Sequence, residues 1–335
     1  MDKYIIFTPQ PKGLFVERLA ELYMRIGDYL DIEQLAGRTL HYSKTFVSDI
    51  ANQQQAYFES NLYNDLLKLA AHTLVGQAPA NGCKIAVLLK TSDKEVDFTF
   101  ESMRLDKGFK ASNSTNFFFQ RYKQEAEKLG MNMNTHLLRT WIYIADIDNE
   151  YGEVMKVRNA IFAVNNLTTN THFIASTGIG GETGLASSVG MDFLSYPAAT
   201  PADIKFLTAP SHLNPTHEYG VSFERGTRLA HQGRYTYFIS GTASIDNKGA
   251  VLYPGNVAQQ TARLLENISA LLHDGEAVMN DIGYFIAYVR DFSDATVVET
   301  ILSAAYPHIP HIVVHAKVCR PAWLVEMECV AVKDI

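Results

Sequence analysis

Near its C-terminus the chain places two carboxylates inside an apolar run. Ala322-Trp323-Leu324-Val325-Glu326-Met327-Glu328-Cys329-Val330-Ala331-Val332 reads as a buried β-strand. Side chains alternate along a strand, so Glu326 and Glu328 face the same side. A carboxylate buried without a partner costs several kcal/mol, unless the group stays neutral with a raised pKa. A carboxylic acid held neutral near pH 7 is a proton donor. The alternative is that one acid pairs with a cation, or that the face meets water. Glu326 is taken as the candidate acid and Glu328 as a charge-pairing neighbour.

Other residues could do chemistry. Arg139 lies on the apolar run Leu137–Ile147, where a lone arginine is unusual and implies a carboxylate partner or an ion pair. Thr177-Gly178-Ile179-Gly180-Gly181-Glu182-Thr183-Gly184 is glycine-rich but lacks the lysine of a nucleotide loop, so it reads as a place of close backbone approach. His308, His311 and His315 suggest a metal. His311 and His315, however, are four strand residues apart, roughly 13 Å, which one ion cannot bridge. Ser240 has no G-x-S-x-G elbow around it, which argues against a serine nucleophile. No cofactor or metal is expected.

Positioning such groups needs a sheet with helices on one face, and the C-terminal third spells one out. Tyr235–Ile245 reads as a strand running into a turn. Val257, Thr261, Leu264, Leu265, Ile268, Leu271 and Leu272 recur at helical spacing. Tyr284–Val289 reads as a strand, Asp294–Ala305 as a helix, and Ile312–Val318 and Leu324–Val332 as the last two strands. Earlier, Leu40–Ile50, Lys84–Leu89 and Leu137–Ile147 read as strands, and Asn61–Leu74, Asn116–Leu129 and Glu153–Val164 as helices. The class is α+β, with two similar layers in tandem. The Pro- and Thr-rich stretch Pro197–Pro215 reads as the connection, giving an N-terminal domain over 1–205 and a C-terminal one over 206–335.

Composition narrows the function classes. The 335 residues are 47% hydrophobic and 19% charged, enough apolar material for a sizeable core. A net charge of −7 argues against a general nucleic-acid binder, whose affinity leans on basic residues meeting phosphates. Cys83, Cys319 and Cys329 are odd in number without CxxC spacing, which suits neither a disulfide framework nor a zinc site and fits a reducing cytoplasm. No stretch approaches the length of a membrane span, and the first residues are too short an apolar run for a signal peptide.

Several pieces together resemble known proteins. Phe238-Ile239-Ser240-Gly241-Thr242-Ala243-Ser244, Gly255-Asn256-Val257, Val289-Arg290-Asp291 and the closing strand resemble the Rid family, also called YjgF or endoribonuclease L-PSP. The ordered set Arg139-Thr140-Trp141, Val157-Arg158-Asn159-Ala160-Ile161-Phe162, Ser176-Thr177-Gly178-Ile179-Gly180 and Tyr219-Gly220-Val221-Ser222-Phe223-Glu224-Arg225 resembles the chorismatases. That resemblance spans roughly residues 135–335. It implies tandem Rid-like layers and hydrolysis of the enolpyruvyl ether of chorismate, or of a related small carboxylate, to release pyruvate.

Carried over residue by residue, the resemblance puts the family's catalytic acid at Glu326 and carboxylate-gripping arginines at Arg158 and Arg225. It puts a small pocket residue at Ala243, contacts at Thr177 and Gly178, and supporting groups at Tyr219 and His315. Val313 stands where deaminase-type Rid proteins carry a clamping arginine, and Tyr219-Gly220 runs almost directly into Phe223-Glu224-Arg225. The alternatives are therefore a Rid-type metabolite-binding protein without turnover and an imine or enamine deaminase. The expected partner is a small carboxylate, with neither nucleic acid nor membrane. The assembly is expected to be a homotrimer or a monomeric pseudo-oligomer.

Overall fold

A computed structural model describes residues 2–335, and of Tyr219 only the backbone. One path, β-α-β-α-β-β, is followed three times. The first pass is β1 (Lys3–Phe7), α1 (Phe15–Leu35), β2 (Thr39–Val47), α2 (Ile50–Glu59), β3 (Ala71–Gly76), a short β4 (Ala78–Pro79) and β5 (Ile85–Ser92). The second is β6 (Thr99–Met103), α3 (Ala111–Lys128), a single turn α4 (Met133–His136), β7 (Leu137–Ile144), α5 (Ile147–Val164), β8 (Ala175–Gly180) and β9 (Val189–Ser195). The third adds two strands, β10 (Ile204–Phe206) and β11 (Gly226–His231). It then follows β12 (Arg234–Ala243), α6 (Val257–Asp274), β13 (Ile282–Val289), α7 (Ala295–Ala305), β14 (His311–His315) and β15 (Val325–Asp334).

The sheet orders match across the three passes: β1-β5-β2-β3, then β6-β9-β7-β8, and β12-β15-β13-β14 within the third sheet. In each, one parallel pair is bridged by a helix and the last strand inserts antiparallel beside it. The tandem α+β layers expected from the sequence are present, and the region before residue 205 holds two such sheets. Residue 205 itself falls in β10, which hydrogen-bonds to β11 of the last sheet.

Burial follows from alternation along the strands. The outward faces of the first two sheets pack on their own helices, forming separate cores around Leu22, Ile26 and Val87, and around Phe119, Ile144 and Phe162. The inward faces meet in one shared core that joins Phe46 and Leu88, Trp141 and Ile179, and Ile286 and Tyr288.

Most expected elements form within a few residues of the expected bounds. Asn61–Leu74 is the exception. The helix lies earlier, at Ile50–Glu59, where the Asp49 side chain accepts from the Asn52 N–H and caps it. Leu62–Leu69 forms tighter and wider helical turns, and Ala71–Gly76 is the strand that pairs parallel with β2. The demand for a parallel partner overrides the local spacing of leucines. Helix α1 has a mixed apolar face and went unread in the sequence.

The shared core is held by charges as well as hydrocarbon. Arg139 Nη2 donates to Glu328 Oε2 at 2.8 Å, and the Trp141 indole N–H donates to Oε1 at 2.8 Å. Lys44 Nζ stands 3.9 Å from Oε1, with the rings of Phe46, Trp141 and Tyr143 around it at 5.2–5.8 Å. Lys44, Arg139 and Glu328 come from the first, second and third sheets, and all three are at most 2% exposed. Burial alone would raise the Glu328 pKa, but Lys44 and Arg139 hold it below the usual carboxylate value. Breaking a buried pair from one side leaves an uncompensated charge, so Glu328→Gln is expected to cost about 3–5 kcal/mol. Urea unfolding measures this; a loss under about 1 kcal/mol would contradict the assignment.

Candidate active site

Glu326 faces the same side of β15 as Glu328 but meets a different environment. It lines a small cavity together with Tyr151, Arg158, Gly178, Val221, Phe223, Arg225, Gly241, Ala243, Cys319, Arg320 and Trp323. The walls come from the second and third sheets and the loops around them. Helix α5 brings Tyr151, Met155 and Arg158 to one face, since four- and three-residue steps stack side chains on a helix. Across the cavity, Ala243 of β12 pairs with Glu326 of β15 in antiparallel register.

The backbone is shaped around the acid. The β12–β15 register shifts between Ile239 and Thr242, a bulge that brings Gly241 against Glu326. A Cβ at position 241 would overlap the Glu326 carboxyl. The Gly241 N–H donates to Thr177 Oγ1 at 3.0 Å, and the same oxygen accepts from Arg139 Nη2 at 2.5 Å. Ser240 donates to the Glu224 carbonyl at 2.6 Å and accepts from Arg139 Nη1 at 3.0 Å and the Ser176 N–H at 2.9 Å. It is a seam between two sheets.

Electrostatics separate the two acids. Glu326 is pushed up to about 8, first by burial and next by the negative charge of Glu328, against a smaller opposing pull from Arg139 and Arg225. Paired groups whose surroundings push their pKa values apart are how a site keeps one acid protonated and the other ionised. Arg225 is oriented by Asn214, donating to its carbonyl from Nη2 at 2.9 Å and from Nε at 3.3 Å. The loop before it is clamped by Thr216, which donates to the Phe223 carbonyl at 2.6 Å, and is tied to α5 by Asn159, which donates to the Gly220 carbonyl at 3.3 Å.

Glu326, Arg158, Arg225, Gly178 and Ala243 thus meet at one cavity, and Thr177 stands behind its wall. Arg139 is part of the Glu328 tie. The side chain of Tyr219 lies outside the described residues. His315 ends β14 exposed, edge-on to Phe292 at 6.2 Å between ring centres, and is not among the lining residues. The strand stops there, shorter than the expected Ile312–Val318, and the following turn delivers Cys319 to the cavity instead. His311 meets Glu299 and Ser303 on the surface. Among the described residues no group of three or more His, Cys, Asp or Glu is placed to hold a metal.

Arg320, a weaker candidate for a carboxylate grip in the sequence, also lines the cavity, and sequence reasoning missed Tyr151, Cys319 and Trp323. Tyr151 had a signal in its seven-residue spacing from Arg158; Cys319 and Trp323 had none beyond proximity to the last strand.

The repeated path gives Glu326 two counterparts. Ile179 bridges to Val318, Gly76 to Glu182, and His315 to Ala78, each at a seam between successive sheets. Eight residues on from Val318, Glu182 and Ala78 stand Glu326, Gly190 and Ala86. At Gly190 the space of a side chain is taken by Arg104, whose Cδ would lie 2.6 Å from a Cβ there. Arg104 Nη1 in turn donates to Asp192 at 3.0 Å. Of the three equivalent positions, Glu326 alone carries an acid.

Comparison with known proteins now fits this geometry. The endoribonuclease L-PSP family matches residues 228–333. A crystal structure of a chorismatase superposes with a TM-score of 0.69 over 99% of this chain and 98% of its own, at 18% identity. In fold the chain is similar to that chorismatase along its whole length, and residues 228–333 match the L-PSP family. RutC family proteins of Pyrococcus abyssi and Pyrococcus horikoshii are 29% and 28% identical over 99 residues, 29% of this chain and 78% and 79% of theirs. Among the described residues no helix is long and apolar enough to cross a membrane.

The raised Glu326 pKa makes a stability prediction. A folded-state pKa above the unfolded one gives stability that is full below the unfolded value, near 4.5, and lost as pH rises through about 8. Glu326→Gln should therefore raise Tm relative to the parent at pH 8 and change it little at pH 4.5. Equal shifts at both pH values in thermal melts would contradict a neutral buried acid.

Proposed function

We propose that the chain hydrolyses the enolpyruvyl ether of chorismate, or of a closely related small carboxylate, releasing pyruvate. The observation that carries this is Glu326, buried and raised to about 8, in a cavity also lined by Arg158, Arg225 and Arg320. Cleaving a vinyl ether requires protonating its terminal CH2 carbon, and only a neutral acid can donate that proton. Glu326 gives its proton to the carbon, forming a methyl group and an oxocarbenium ion. Water adds to the cationic carbon and returns a proton to Glu326. The hemiketal then collapses to pyruvate and the ring alcohol. Arginines grip carboxylates bidentately and keep their charge on burial, which suits a substrate bearing two carboxylates. The chorismatase fold supports the same reading.

The cavity volume is about 40 Å3, room for water but not for a ring. Turnover of a ring substrate therefore requires the cavity to widen. That small volume favours a second reading, a protein that binds a smaller carboxylate without turnover.

Purified protein incubated with chorismate and coupled to lactate dehydrogenase separates the two readings. Pyruvate is expected, with kcat lowered about 10^2–10^4-fold in Glu326→Gln, the range of general acid catalysis. The parent rate should fall tenfold per pH unit above about 8, where Glu326 loses its proton. No pyruvate above background, or an unchanged Glu326→Gln rate, rejects the hydrolase.

A further inference from the structure

A second, larger cavity of about 360 Å3 lies on the far side of the Glu328 tie from the Glu326 cavity. Four residues on from Glu326, Gly190 and Ala86 come Val330, Leu194 and Lys90, and all three line it. Their cross-strand partners Phe238, Phe100 and Tyr4 line it too. The cavity is thus an axial chamber, walled by corresponding positions of all three sheets. In a symmetric trimer those positions would be identical. One continuous chain frees them to differ, and here they are one cation and two aliphatic groups.

The lining selects a class of ligand. Tyr42, Phe98, Trp141 and Tyr284 add to the rings already named, so seven aromatic side chains stand in the wall among aliphatic ones. The Lys90 ammonium is already matched by Asp2 at 3.0 Å, and Asp2 also meets Arg234 at 2.7 Å. Asp97 acts on Lys90 as well, so two cations face two carboxylates; a further anion has no unmatched charge to meet there, and a cation would face Lys90. Leu69 and Val96, 75% and 65% exposed, form an apolar rim. A chamber of this size is in the range of small-molecule sites, and enclosure by three sheets leaves no room for a peptide segment.

We propose that the axial chamber is a binding site for an uncharged planar aromatic compound of one or two rings, separate from the Glu326 cavity. The site stacks its ligand against Trp141, Phe100 and Phe238.

The chain has two tryptophans, and each lines one cavity: Trp141 the chamber and Trp323 the Glu326 site. The test uses the Trp323→Phe protein, so that emission reports Trp141 alone, with 4-nitroanisole as the probe. Saturable quenching with one-to-one stoichiometry is expected. Leu194→Phe in the same background fills the chamber and should raise the half-saturation concentration at least tenfold. Ala71→Leu, on a different wall, serves as a second filler if Leu194→Phe melts early. Quenching that rises linearly without saturation overturns the proposal, as does saturable quenching that neither filler shifts. Loss of quenching on Ala243→Phe, with the fillers silent, assigns the probe to the Glu326 cavity and equally overturns it.

Discussion

Glu328 is the knot of this structure. Its carboxylate takes one hydrogen bond from Arg139 and one from Trp141, and it lies within ion-pair distance of Lys44, so three sheets converge on one buried charge. Taking two cations and an anion out of water is costly, and such a cluster is held only where geometry satisfies it. The aromatic cage around Lys44 and the hydroxyls of Thr177 and Ser240 on Arg139 supply that geometry. A one-residue slip of β15 would turn Glu328 to the helix side and expose the mismatch at once, so the tie also fixes the register of the last strand.

Fixing Glu328 as a carboxylate determines what Glu326 can be. The two acids share a strand face, and Lys44 and Arg139 pair with Glu328, leaving only a smaller pull from Arg139 and Arg225 on Glu326. Burial and the neighbouring negative charge then act on Glu326 without full compensation, which keeps its proton on near neutrality. The same cluster that holds the sheets together therefore sets the acidity of the site. The middle sheet shows the opposite outcome at its equivalent place: Gly190 is filled by Arg104, and the nearby Asp192 is satisfied by Arg104, Tyr143, Thr73 and Ser102. Repetition of one path made three comparable seams, and the side chains differentiate them.

Much of this was legible in the sequence. Period-two alternation exposed the oddity of Glu326 and Glu328 directly, and the C-terminal strands and helices announced themselves by spacing. Arg139 in an apolar strand signalled a buried partner, which is Glu328. Lys44 could not be read this way, because Leu40–Ile50 mixes polar and apolar residues and looks like an ordinary edge strand. The third repetition was hidden because α1 and the turns after α2 obey tertiary demands more than local pattern. Cys319 and Trp323 reach the site through a turn, where no periodicity constrains position, and His315 was misjudged because the strand ends sooner than its β-branched residues suggest.

The central claim is that Glu326 holds a proton at neutral pH while Glu328 does not. Carbon-13 NMR of protein labelled at the glutamate carboxyl, with Glu326→Gln and Glu328→Gln to assign the two signals, tests it most directly. The account predicts that the Glu326 resonance titrates near pH 8 and that the Glu328 resonance titrates below the usual glutamate value. A Glu326 resonance that titrates at or below the ordinary glutamate pKa, about 4.3, would contradict it.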